Sequence, residues 1–257
     1  MQPERQGELC SRCGDALGME SVRFAGAMGV QECTPCQTTP PDFTRAVAFG
    51  SYDNEMRDLL HALKFDRMRR VAEHVLGDWI AGAVLKLEPE AGISLVVVPV
   101  PLFVTRERER GFNQSALLAA AAVKRLKRMR PDWNLELRPE ALRRVRDTRP
   151  QFALGAAQRR TNLKGAFRVE RPELVAGREV LLIDDILTSG ATANACSRVL
   201  LRAGAAKVWV ATVARAQPES LSAVETTVAR WDAGKQQTGS GKQEVGSSWN
   251  SQPTTDH

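Results

Sequence analysis

From residue 45 onwards the chain alternates short apolar runs with longer stretches of helical spacing. Residues 94–98 (SLVVV) form a continuous apolar run between Gly92 and Pro99, the pattern of a strand buried on both faces. Residues 179–183 (EVLLI) and 207–213 (KVWVATV) repeat that pattern, and 45–52 (RAVAFGSY) reads as a strand leading into a helix over 54–65. A second helix is expected over 71–87, where Val71, Val75, Leu76, Trp79 and Ile80 recur at helical intervals. Asn113 stands where it would cap an Ala- and Leu-rich helix running towards Met129. Another helix is expected from just after Gly190 to about Ala203, with Cys196 inside it as a small buried hydrophobe. Trp79 and Trp209 fall at core positions. Strands separated by helices predict an α/β domain with a mainly parallel sheet.

The pattern fails at both ends. Residues 1–40 hold Gly, Cys and Pro with little periodicity, and would struggle to bury a core without a crosslink or a metal. Pro40-Pro41 reads as a boundary. The stretch 231–257 is rich in Gln, Gly, Ser and Thr and predicts disorder. The expected organisation is a small module over 1–40, the α/β domain over 41–216 and a disordered tail over 217–257. Residues 1–10 lack the apolar core of a signal peptide, and no apolar run is long enough to span a bilayer. A cytoplasmic protein with no membrane insertion is expected.

Four of the five cysteines sit in the first 36 residues, as Cys10-Ser-Arg-Cys13 and Cys33-Thr-Pro-Cys36. Each C-x-x-C turn presents two thiolates to one ion, and two such turns complete a tetrahedral shell. Zn²⁺ bound this way has no open position, so the role is structural. Gly14 follows the first turn, where a tight backbone is useful. A redox pair and an iron–sulfur cluster are the competing readings of the same residues.

Residues 180–192 (VLLIDDILTSGAT) carry the most specific chemistry. An apolar strand ends on Asp184 and Asp185, and a loop of small residues then opens a helix. In open α/β sheets ligands bind beyond the carboxyl ends of strands, where this loop must lie. Gly190 lets backbone approach an anion, and the amides of Thr188, Ser189, Gly190, Ala191 and Thr192 make a concave donor site for phosphate. Two carboxylates repel phosphate but accept hydrogen bonds from sugar hydroxyls, directly or through a metal. No Lys follows the glycine as in a Walker A loop, and no GxGxxG is present. The segment resembles the phosphoribosyl pyrophosphate (PRPP) motif of type I phosphoribosyltransferases. That resemblance implies that Asp184 and Asp185 hold the ribose and that residues 188–192 hold the 5′-phosphate.

Charge adds a second block. The formal net charge is +6, yet residues 106–171 hold 18 Lys or Arg against 7 Asp or Glu, a local +11. Such a segment suits a phosphorylated ligand or a nucleic acid backbone. A basic loop, Arg106-Glu-Arg108-Glu-Arg110-Gly-Phe-Asn-Gln114, follows the PVPL turn at 99–102 and is expected to face the ligand from the other side. Leu63-Lys64-Phe65, the PVPL turn, RGFNQ at 110–114, DTRPQ at 147–151, the Arg159–Phe167 block and the N-terminal cysteines run in the order of the ComF family. The chain resembles that family, which includes ComF-type DNA-uptake proteins and GntX-like proteins. Phe103 and Glu107 depart from its usual His and apolar residue.

The resemblance implies a type I phosphoribosyltransferase fold, a mainly parallel twisted sheet flanked by helices, with a small N-terminal zinc ribbon. It also implies PRPP as ligand, Mg²⁺ accompanying it, and a part in DNA uptake and natural transformation. One reading is pentosyl transfer, with Asp184, Asp185 and Arg110 at the reaction centre and Arg106, Arg108 and Lys64 on the pyrophosphate. A second is a protein that handles single-stranded DNA alongside other DNA-uptake proteins, with Phe112 and Phe152 as candidate stacking platforms. A third is a regulator that binds PRPP without chemistry.

Overall fold

The structure, a computed structural model, describes residues 9–17, 31–63, 75–148 and 162–216. Five strands form one all-parallel sheet: β1 (Arg45–Ser51), β2 (Ser94–Pro99), β3 (Asn134–Leu137), β6 (Glu179–Leu187) and β7 (Lys207–Arg215), in the order β1-β7-β6-β2-β3. A separate antiparallel pair, β4 (Leu142–Arg144) and β5 (Phe167–Val169), stands apart from it. The helices are α1 (Thr34–Thr38), α2 (Asn54–Leu63), α3 (Gly77–Leu85), α4 (Val104–Arg110), α5 (Gln114–Met129) and α6 (Ala191–Arg202).

Strands buried on both faces need a helical layer on each, and two apolar cores supply it. On one face Leu95, Val97, Leu181, Ile183 and Trp209 pack under α2, α3 and α5. On the other Val96, Val98, Val180, Leu182 and Val210 pack under α6 and the β4–β5 pair, with Cys196 fully buried among them. The alternation along β2 and β6 thus splits two uninterrupted apolar runs between two cores.

The winding of the chain positions the site. From β2 the path crosses through α5 to β3 on one side, whereas from β6 it crosses through α6 to β7 on the other. Adjacent strands β2 and β6 therefore part company at their carboxyl ends, and a crevice opens between their loops.

Several expectations need correction. Residues 106–110 form the helix α4, not a loop. Arg106 to Arg110 are good helix formers, and the backbone closes through Glu107 N to Phe103 O and Gly111 N to Glu107 O. Strand β6 does not end on the two aspartates but runs on to Leu187, so they lie inside its ladder with β7. Trp79 is only half-buried, stacked on Phe49 with centroids 4.8 Å apart, and Val75 faces solvent. Phe112 is 7% exposed and offers no platform for a base. Lys64, Arg149–Gln151, Phe152, Arg159 and the expected tail lie outside the described residues.

Candidate functional site

Asp184 and Asp185 stand side by side near the end of β6, Asp185 buried and Asp184 half-buried. Successive strand residues point to opposite faces, so the two carboxylates address different neighbours. Asp184 Oδ1 accepts from Ser115 Oγ at 2.9 Å and from the Asp185 amide at 2.9 Å. Asp185 Oδ1 accepts from the Ile186 amide at 2.9 Å. Burial, and then the charge of Asp185, hold the Asp184 carboxyl well above the usual carboxylate range, and the Ser115 hydroxyl opposes that rise.

The chain then turns through Thr188 and Ser189 to Gly190, which has φ 73° and ψ 2°. That left-handed conformation is open to glycine at little cost. It turns the backbone straight into the 12-residue helix α6, so the amides of its first turn lie beside the carboxylates. The five small residues of 188–192 put no bulky side chain of their own at this end of the helix.

The other wall comes from the RGFNQ segment, where every residue has a structural task. Gly111 ends α4 in the left-handed conformation, and Phe112 is buried beneath the turn. Asn113 caps α5 by accepting from the Ser115 amide at 3.0 Å, and its Nδ2 donates to Val100 O at 3.0 Å, tying the cap to the end of β2. Arg110 Nη1 donates to Gln114 Oε1 at 3.1 Å. Burial lowers the pKa of Arg110, against the favourable charge of Asp185.

Helical spacing sorts the arginines of α4. Arg106 and Arg110, one turn apart, are both half-buried, whereas Arg108 is exposed. Arg106 Nη2 donates to Thr148 O at 3.1 Å, and Arg144 Nη2 donates to Thr148 Oγ1. Thr148 thus holds two guanidinium groups, and Arg144, which feels the charge of Asp184, also lies over the Phe167 ring at 5.5 Å. Burial first, then the charge of Arg106, lowers the pKa of Arg144.

Sequence reasoning missed Ser115, Arg144, Arg215 and Tyr52. Tyr52, the single tyrosine of the chain, is buried at the end of β1, and burial followed by the charge of Asp185 pushes its hydroxyl up to about 12. A lone Arg closing the apolar run of β7 was the one available signal for Arg215. A cavity of about 510 Å³ opens beside this wall, between the PVPL turn, the start of α4 and the β4–β5 pair. Its lining includes Leu102, Glu107, Asn113, Arg143 and Arg144.

At the N-terminal end, ligand atoms of Cys10, Cys13, Cys33 and Cys36 lie within 4.8 Å of one another. Cys13 Sγ and Cys33 Sγ are 3.6 Å apart, too far for a disulfide and near the roughly 3.8 Å edge of a tetrahedron with 2.3 Å metal–sulfur bonds. Gly14, with φ 66°, makes the turn expected of it, and its amide donates to Cys10 O at 2.9 Å. Hydrogen bonds from Cys13 and Cys36 draw the Cys10 thiol far below its ordinary range. The bond to Cys10 pushes Cys13 up to about 12, and Cys36 is held higher still by Cys10 and Cys13. The cysteines are themselves the buried centre here, with Leu17 beside them. The donor set fits a structural metal ion.

Comparison with known proteins gives a consistent picture. Residues 114–240 match the phosphoribosyl transferase domain model. The chain is 37% identical over 204 residues to DNA utilization protein YhgH of Escherichia coli strain K12, covering 79% of this chain and 82% of that protein. It is 31% identical over 219 residues to competence protein F of Haemophilus influenzae, covering 81% and 90%. Competence protein ComFC of Bacillus subtilis is 26% identical over 203 residues, 78% of this chain and 74% of that one.

Proposed function

The chain belongs to the ComF family of phosphoribosyltransferase-like proteins, and from that premise we propose that it binds Mg²⁺–PRPP in the crevice between β2 and β6 and serves DNA uptake. The observation that carries the ligand is the run from Asp184 to α6: paired carboxylates in a parallel strand, a left-handed Gly190 and an open helix N-terminus. Phosphate takes the amides and hydroxyls of residues 188–192, and the ribose hydroxyls donate to Asp184 and Asp185. Arg110 and Arg106 balance the pyrophosphate, joined by Lys64 and, at the rim, by Arg108. Mg²⁺ would be held with the ligand's phosphate oxygens, Asp184 and Asp185 being the carboxylates available to it, and would supply charge neutralisation. Zn²⁺ is the ion best matched to four thiolates, and held by Cys10, Cys13, Cys33 and Cys36 it supplies a crosslink in place of an apolar core.

The part in DNA uptake rests on relatives named for competence and DNA utilization. Single-stranded DNA as a partner draws on the basic segment 106–171, in which Arg108 is exposed. Phe112 is buried and adds no stacking, and phosphate contacts from the basic segment make that binding strongly salt-dependent.

A second reading, supported by the match to the phosphoribosyl transferase domain model, is pentosyl transfer. In it, a nucleophile attacks the anomeric carbon of PRPP, the carbon–oxygen bond to pyrophosphate breaks, and pyrophosphate leaves with the bond electrons. Asp184 and Asp185 hold the sugar and Arg110 stabilises the departing charge. Calorimetric titration of Mg²⁺–PRPP into wild type and Asp184→Asn/Asp185→Asn tests the ligand. Binding lost in the double variant supports the proposal, and no binding to wild type refutes it. A salt-dependent affinity for single strands, weakened by Arg108→Ala, tests the DNA arm.

A further inference from the structure

Arg215 closes β7, and its guanidinium reaches in two directions. Nη1 donates to the carbonyls of Leu187 at 3.0 Å, of Thr188, and of Ala216 at 3.2 Å. Leu187 and Thr188 are the residues where β6 becomes the phosphate loop. Nη2 pairs with Asp15 Oδ2 at 3.2 Å. Asp15 belongs to the four-cysteine module: it lies two residues past Cys13, and its carbonyl accepts from the Cys10 amide at 2.7 Å. The two side chains are 8% and 17% exposed, so solvent and salt screen the pair little.

Other contacts run along the same route. The carbonyl of Arg12, within the first C-x-x-C turn, accepts from the Ala46 amide of β1 at 2.7 Å. Phe43, in the segment leaving the module, is buried below the loop, 3.9 Å from where a Cβ on Gly190 would stand. Asp42 pairs with Arg198 of α6 at 2.9 Å, and its amide donates to Asn194 Oδ1 in the same helix at 2.5 Å. The turn at Thr188 therefore rests on a residue of the four-cysteine module, and α6 is held by the segment that follows it.

We propose that the four-cysteine module is the buttress of the phosphate loop, and that Arg215 is the positioning residue that carries its order to Thr188. The consequence for the ligand rests on the PRPP reading of that loop. Arg215 touches neither sugar nor phosphate. It fixes two carbonyls and so the direction of the amides that follow them. Metal ligation holds Cys10 and Cys13, those hold Asp15, and Asp15 holds the guanidinium. Linked in this way, metal and phosphorylated ligand must favour each other's binding by one and the same factor, typically about 5- to 150-fold for sites coupled through a protein.

The test is amide hydrogen exchange at the two ends of the loop, of Asn194, which donates to Gly190 O, and Ala216, which donates to Leu187 O, in the full metal-loaded chain, before and after chelation, for wild type, Asp15→Asn and Arg215→Lys. Chelation is expected to speed exchange of the wild-type loop about tenfold. Asp15→Asn is expected to show the fast loop with metal still bound, and chelation then adds little. Arg215→Lys keeps the charge but loses the fork of donors, and is expected to behave as Asp15→Asn does. A wild-type loop that ignores chelation overturns the proposal, and that measurement needs no variant to fold. Equal chelation effects in wild type and Asp15→Asn overturn it as well.

Titration of the same samples with Mg²⁺–PRPP keeps the two ideas distinct. Wild type that binds no PRPP while its loop still responds to chelation refutes the ligand and retains the buttress. Equal PRPP affinity with and without metal refutes the buttress and retains the ligand.

Discussion

Ser115 Oγ donates to Asp184 Oδ1 at 2.9 Å, a bond that ties the first turn of α5 to the end of β6 across 69 positions of sequence. The two elements belong to opposite walls of the crevice, and the bond sets the distance at which those walls face each other. The donor is fully enclosed, so the Ser115 hydroxyl cannot turn to water instead.

Removing that donor should therefore cost more than an exposed hydrogen bond. Ser115→Ala is expected to lower stability by about 1–3 kcal/mol, the range for stripping a partner from a buried polar group. It should also move the Asp184 carboxyl further upward, because the hydroxyl is a force holding it down. Urea unfolding reads the first effect and a carbon-13 titration of the carboxyl reads the second.

Asp184 itself should show a conflict between stability and ligand binding. Its pKa is raised in the folded protein, so the native state holds the proton more tightly than the unfolded chain does. Stability is then greatest below the unfolded value, about 3.9, and declines as pH rises from there to the raised folded value. Asp184→Asn removes the ionising group and should flatten that decline, giving a higher Tm than wild type at neutral pH. Each kcal/mol regained is worth about 2–4 °C in a domain of this size. The same variant should bind Mg²⁺–PRPP more weakly, and paired thermal melts and calorimetry read the two together.

Thr148 holds Arg144 through its hydroxyl and Arg106 through its carbonyl, and a side-chain change separates the two roles. Thr148→Val keeps the shape and the carbonyl but leaves a buried guanidinium without that acceptor. A loss of about 1.5–3 kcal/mol is expected, as for a hydrogen bond to a charged group. PRPP affinity should fall through a displaced Arg144, while the backbone bond to Arg106 persists. Thr148→Ser, which retains the hydroxyl, should restore most of both, and that recovery distinguishes lost hydrogen bonding from altered packing.

The cysteine cluster should bind its metal in competition with protons. Cys13 and Cys36 hold theirs tightly, so ligation must displace them and affinity should drop steeply as pH falls. A chelator should leave the parallel sheet folded, because its two cores contain none of the four sulfurs except a marginal contact from Cys13. Metal release followed with a chromophoric chelator at several pH values, with near-ultraviolet circular dichroism of the sheet's Trp209, checks both statements.

The chemistry legible in the sequence was the chemistry written in adjacent residues. The two C-x-x-C turns, the strand–aspartate–glycine–helix run at 180–192 and the Asn113 cap all act within a few positions of themselves, and backbone geometry alone brings their groups together. Parallel pairing is the opposite case. Neighbouring parallel strands are joined by long crossovers, so what meets at their ends is drawn from distant segments. Ser115 reaches Asp184, Arg144 reaches the site from a separate strand pair, and Asp15 reaches Arg215 from the other end of the described chain. Charge was likewise misleading where it was dense: the arginines of α4 read as a loop, and helical geometry turned Arg106 and Arg110 inward and Arg108 out. Which groups are available to bind a phosphorylated sugar and a metal can be read along the chain. Which of them share a site cannot, because that depends on the order and register of strands that have no local partner to pair with.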